Sequence, residues 1–175
     1  MFKRGVRPVI ATVLLLVITV VIASIIFAFV VPFVNKSLGN SKSCLNVLDG
    51  GEFPESKFNC YKDYPIGSVI PSETGFSVKV KKPGVNGVRI ALIDKDENSK
   101  VYSIYEGTTD TYLRAVAAPN GYTVGLSFPS TGGQRTYVAN GNYTRAEISP
   151  IVESGDVCAV SDTVEFTLCT SDVTL

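Results

Sequence analysis

The stretch Lys3–Phe33, KRGVRPVIATVLLLVITVVIASIIFAFVVPF, decides the fold class. Three basic residues, Lys3, Arg4 and Arg7, stand before a long run in which no residue from Pro8 to Val34 is charged. A helix of those 27 residues is about 40 Å long at 1.5 Å per residue, against an apolar bilayer core of about 30 Å. The run is apolar on every face, which excludes a surface amphipathic helix. Its many β-branched Val and Ile residues do not make it a strand, because a lone segment in lipid satisfies its own backbone only as a helix. Pro8 is tolerated in a first helical turn, and Pro32 near the other end predicts a kink or a stop.

The flanks orient the segment. Basic residues without nearby acids favour a cytoplasmic N-terminus, which puts the rest of the chain outside. The four cysteines, Cys44, Cys60, Cys158 and Cys169, all follow the apolar run. An even number on one side of a membrane segment points independently to an oxidising exterior and to disulfides. Their spacings do not match a zinc site built from close pairs. Four cysteines allow three pairings; the local ones, Cys44–Cys60 and Cys158–Cys169, are preferred, each worth about 3 kcal/mol by loop closure. A secretory signal peptide fits less well, since its apolar core runs about 7–15 residues. Here "IAS" at Ile22–Ser24 is followed by more apolar sequence, IIFAFVVPF. A plain one-pass anchor fits the run as well.

Composition narrows the function. The chain has 16 acidic and 16 basic residues, yet no acid precedes Asp49. Residues 39–175 carry all 16 acids and 12 of the bases, a net charge of −4. A mildly acidic domain argues against nucleic acid as a partner, which needs a concentrated basic patch. No histidine is present. The commonest general base and the commonest metal ligand are therefore missing, and no spacing of Ser, Asp and Lys suggests a nucleophile–base pair. The expectation is no catalytic residue, no metal, no cofactor, and a non-enzymatic role.

After residue 43 the chain breaks into short alternating runs separated by Gly, Pro, Asn and Asp. FSVKV (Phe76–Val80), VRIALI (Val88–Ile93), VYSIY (Val101–Tyr105), YTVGLSF (Tyr122–Phe128), RTYVA (Arg135–Ala139), RAEISPIV (Arg145–Val152) and TVEFTL (Thr163–Leu168) read as strands. Spacing of about 8–12 residues with turn signals between them indicates an antiparallel sandwich or barrel. The predicted fold is α+β: one long hydrophobic N-terminal helix followed by an all-β, sandwich-like head. The expected divisions are a leader at 1–5, a membrane or filament-core helix at 6–38, a polar linker at 39–43 (GNSKS) and the head at 44–175.

Asp94, Asp96 and Asn98 in DKDEN stand at calcium-loop spacing, but Ser99 replaces the required Gly and Tyr105 the bidentate Glu. A charged hairpin turn is the better reading. Asn35 (NKS) and Asn142 (NYT) are candidate N-glycosylation acceptors, with Asn142 favoured by expected exposure in the turn ANGNYT. Tyr102, Tyr105, Tyr112, Tyr122, Tyr137 and Tyr143 fit sheet packing better than an adhesive surface.

The junction KRG–VRPVIAT resembles the N-terminus of archaeal type IV pilin-like proteins, in which a short basic leader ending in Gly is removed by a prepilin peptidase on the cytoplasmic side. In that likeness Lys3 and Arg4 end the leader, Gly5 precedes the cut and Val6 becomes the first mature residue. Pro8, Val9 and Ile10 match the family's Pro-Val-Ile element, and Arg7 departs from its usual Ser. The elements CLNVL, FNCY, GFSVKV, GVRIALI, RTYV, AEISPIV, GDVC and DTVEFTLC resemble the heads of pilin-like proteins from small-genome archaea. The resemblance implies a structural subunit that self-associates through its helix into a surface filament. It implies a prepilin peptidase, an assembly ATPase and a membrane platform protein as partners, with membrane lipid around the helix before assembly. Adhesion or motility would be the role of such a filament. The alternative is a non-polymerising, single-pass surface protein whose β-head binds a ligand or partner.

Overall fold

The computed structural model describes residues 6–64, 71–117, 121–123 and 125–170, with the side chains of 6–9 and 36–41 left aside. The chain divides into two compact units, 1–42 and 43–175.

The first unit is helix. α1 runs from Val6 to Asn46. It continues past Pro32, so this proline is not the expected stop. Residues 39–43, expected as a polar linker, are likewise helical. A formed helix propagates at little cost through Ser, Asn and Lys, and a single Gly39 costs only about 1 kcal/mol. The end comes where the chain is pinned. Val47 is 2% exposed, its N–H donates to the Cys44 carbonyl at 3.1 Å, and Gly50 N–H donates to the Val47 carbonyl at 2.8 Å.

The second unit contains eleven strands among the described residues. They are β1 (Gly51–Glu52), β2 (Cys60–Lys62), β3 (Glu73–Val80), β4 (Val85–Ile93), β5 (Ser99–Ile104), β6 (Leu113–Val116), β7 (Tyr122–Thr123), β8 (Gln134–Asn140), β9 (Arg145–Val152), β10 (Asp162–Glu165) and β11 (Thr167–Leu168). One sheet has the order β11-β2-β3-β8-β6-β7, with β1 also pairing β3; the other has the order β10-β9-β4-β5. Every pairing is antiparallel except β11 on β2, which is parallel.

The pleat explains the core. In β4, Val88, Ile90 and Leu92 are fully buried while Arg89 is exposed, the period-two pattern of a half-buried strand. Phe76 and Val78 of β3 and Tyr137 and Ala139 of β8 face them from the other sheet, and all belong to one apolar cluster. Two inner faces sharing one core is the packing logic of a sandwich. Phe76 lies edge-on to Phe53 (6.4 Å) and tilted against Tyr137 (5.7 Å), whose hydroxyl donates to the Ser127 carbonyl at 2.8 Å.

The strand expectations hold for β3, β4, β5, β8 and β9; β9 matches its expected run at both ends, and the other four are each a residue or more longer than theirs. YTVGLSF keeps only β7, and its Val124 lies outside the described residues. TVEFTL is two strands. β10 belongs to one sheet and β11 to the other, and the chain changes sheet at Phe166, which is 6% exposed.

Candidate functional site

The apolar part of α1 is the element with the most to do. Ile10–Asn35 spans 26 residues at mean hydropathy 3.2, and every residue in it is exposed. Consecutive leucines show how uniform it is: Leu14, Leu15 and Leu16 are 58%, 68% and 63% exposed. Successive residues point about 100° apart, so the apolar surface goes right round the helix. Its two central hydroxyls are satisfied internally. Thr19 Oγ1 donates to the Leu16 carbonyl and Ser24 Oγ to the Val20 carbonyl, each at 2.8 Å. A back-bonded hydroxyl presents no orphan donor to lipid or to apolar protein.

Magnitude settles what such a surface does. Large apolar side chains from Ile10 to Val34 are exposed by 42–74%. Covering each is worth about 1.5–3 kcal/mol. The sum is tens of kcal/mol, more than the usual net stability of a whole domain. This helix requires cover, and an apolar surface on every side accepts either lipid or other helices.

The leader residues Lys3, Arg4 and Gly5 lie outside the described residues. Val6 is the first described residue, and it is helical.

All four cysteines are paired, but not locally. Cys44 is bonded to Cys158 and Cys60 to Cys169, over separations of 114 and 109 residues. The preferred pairing is thus overturned by strand topology. β11 lies parallel to β2 with Thr167 opposite Cys60, and Cys169 N–H donates to the Tyr61 carbonyl at 3.0 Å. The end of the chain is therefore brought to Cys60. Cys158 is set by β9, its N–H donating to the Pro150 carbonyl at 2.9 Å.

The two sequons differ from expectation in exposure. Asn142 is half-buried, with its Oδ1 buried and unpartnered, and Thr144 Oγ1 donates to the Ile93 carbonyl at 3.4 Å. Asn35 is exposed on the helix. The turn places Asn142 against the head because Gly141 has φ +133 and sits under the Tyr143 ring.

DKDEN is the hairpin turn between β4 and β5. Asp94 Oδ1 accepts from the N–H groups of Asp96 (2.8 Å) and Asn98 (2.9 Å). These bonds, led by the one from the Asn98 side chain, hold its carboxyl below the usual carboxylate range. The carboxylate is thereby committed to an Asx turn. Among the described residues no three His, Cys, Asp or Glu side chains are grouped as metal ligands.

The tyrosines divide. Tyr102, Tyr137 and Tyr143 are core residues. Tyr112 and Tyr122 are exposed but capped by cations, Lys100 Nζ lying 3.9 Å from the Tyr112 ring and Arg114 Cζ 4.1 Å from the Tyr122 ring. Sequence reasoning missed the polar packing around β3. Ser77, fully buried, donates its N–H to Asn59 Oδ1 at 2.8 Å and shares its hydroxyl with Thr136 at 2.9 Å. It also missed the ion pair of Glu73 with Arg114, two strands away across β8. A buried Ser in an alternating run gives no sign in sequence of what covers it.

Comparison with known families gives one match: residues 4–37 fit the model of the archaeal type IV pilin N-terminal domain. No curated protein and no solved structure matches the chain. The N-terminal segment is archaeal type IV pilin-like. That family is one of structural proteins, with filament self-assembly and pilus machinery as its general context.

Proposed function

We propose that the chain is a structural subunit of a type IV pilus-like surface filament, made as a membrane precursor and polymerised through α1. One observation carries the reading: the segment that fits the pilin model, residues 4–37, contains the run Ile10–Val34 whose apolar surface is exposed on all sides. Lipid covers that surface in the precursor, and other copies of the helix cover it in the filament.

The basic residues Lys3, Arg4 and Arg7 hold the N-terminus at the cytoplasmic face, and the disulfide-bonded head lies outside. A prepilin peptidase removes Met1–Gly5. An assembly ATPase and a membrane platform protein draw the freed helix from lipid into the filament, and adhesion or motility is the filament's role. Asn35 and Asn142 are the sequon positions for glycans, with Asn35 the better exposed.

N-terminal mass spectrometry of the native protein should find Val6 first. Gly5→Trp should leave unprocessed precursor in the membrane; normal maturation of that variant would end the leader assignment. Electron microscopy then separates a filament subunit from a single-pass anchor. Filaments should disappear on deletion of the chain, and a processed protein with no filament would favour the anchor.

A further inference from the structure

We propose that the two disulfides form a covalent frame that stops tension between the helix and the C-terminal end from drawing out the β-fold. The inference concerns the head alone and holds for a filament subunit and for an anchor alike.

The order of the cysteines is the key observation. Cys44 pairs with Cys158 and Cys60 with Cys169, so the bridges interlace. Between Cys44, in the last turn of α1, and Cys169, just past β11, two short covalent routes therefore exist. One crosses to Cys158 and follows the chain to Cys169. The other follows the chain from Cys44 to Cys60 and crosses there. The routes contain about 11 and about 16 peptide units, at most about 40 and 58 Å when fully extended. The chain itself, with no bridge, would extend over about 125 units, or 410–450 Å.

The segment Cys60–Cys158 lies on neither short route; it joins the same two bridges as a third, much longer path in parallel with them. It holds β3 to β9, and with them most of the core. Because it runs in parallel with the two arms, its ends cannot be drawn further apart than the shorter arm reaches. The 158–169 arm also stitches the sheets together: β10 pairs β9 in one, β11 pairs β2 in the other, and Phe166 is buried between them. The strand pairing at its far end is the two-residue β11–β2 ladder, extended by the Cys169 N–H bond to the Tyr61 carbonyl. Cys60–Cys169 turns that short contact into a fixed one.

Local pairing would do the opposite. Bridges Cys44–Cys60 and Cys158–Cys169 would leave the whole Cys60–Cys158 segment in series with the load.

The test is single-molecule force spectroscopy on the full chain in detergent, held by peptide handles at its two termini. The oxidised protein should show no long extension step from the head, and the folded protein treated with reductant should gain one of roughly 400 Å. Cys44→Ala/Cys158→Ala and Cys60→Ala/Cys169→Ala should each keep the short extension, because one arm remains in each. A long step in the oxidised protein, or in either variant whose remaining bridge is verified by mass, overturns the proposal. If a variant fails to fold, the oxidised and reduced wild-type chains still decide it.

Discussion

Cys60 of β2 is bonded to Cys169, just past β11, and this bridge crosses the one between Cys44 and Cys158. The crossing makes a simple prediction for proteolysis. Lys95 is exposed in the β4–β5 turn, between Cys60 and Cys158. Limited trypsin cleavage there should leave one band on a non-reducing gel and two fragments after reduction. Fragments that separate without reductant would mean local pairing.

Gly87 follows the register shift between β4 and β9 and faces the β5 end of the hairpin. A Cβ there would lie 2.6 Å from the Tyr105 ring and 2.8 Å from the Ile104 carbonyl oxygen. The ring is partly exposed and can swing, but the carbonyl belongs to the backbone. Gly87→Ala should therefore destabilise the head by about 1–3 kcal/mol, the usual scale of overpacking. Urea titration should show a lower midpoint with unchanged slope. Adding Tyr105→Ala should recover only part of the loss; full recovery would mean that the ring alone was the obstacle.

Tyr143, 9% exposed, has its phenol pushed up to about 12 by burial and then by the neighbouring Tyr102 phenol. Burial also raises Tyr102 and Tyr137. An unfolded tyrosine ionises near pH 10. Below that pH neither state is charged and the contribution is complete. Between about 10 and 12 the unfolded chain loses the proton first, so stability falls as pH rises. Thermal unfolding should be level in this respect up to pH 9 and drop above 10. Tyr143→Phe should flatten part of that drop and leave the part due to the other buried tyrosines. An unchanged alkaline slope in the variant would remove Tyr143 from the account.

What the sequence made legible follows from how local each signal is. The helix was plain because uniform apolarity over Ile10–Val34 has one physical solution in lipid. Strands β3, β4, β5, β8 and β9 were plain because their side chains alternate over five residues or more. β1 (GE), β2 (CYK) and β6 (LRAV) were not, since two to four residues hold no periodicity. Gly39, Asn40 and the serines read as a linker because composition marks low propensity, while a continuing helix tolerates it. The disulfides failed for a different reason. Loop-closure entropy favours short loops only when nothing else brings the ends together, and here β11 beside β2 does so. In the candidate site, the leader residues were readable as a motif, whereas the exposure of Asn35 over Asn142 depended on the packing of Gly141 against Tyr143.

The helix itself offers a test that separates its two proposed environments. Ile22 lies near the middle of the Ile10–Asn35 span and is half-exposed there. An Arg at a helix centre costs about 2.5–3.5 kcal/mol on the insertion scale, and each Leu, Ile, Phe or Val returns about 0.3–0.6 kcal/mol. The many apolar residues of this span outweigh one Arg, which can also draw water and headgroups toward itself. Ile22→Arg should therefore still insert and resist carbonate extraction. Between packed helices the same charge has no partner and no water, at an effective cost of several kcal/mol. The variant should thus remain in the membrane, be cut after Gly5, and yield no filaments. Filaments of normal abundance from Ile22→Arg would mean that this face of α1 is not buried on assembly. Loss of the protein from the membrane would instead mean that the span is weaker than its hydropathy of 3.2 implies.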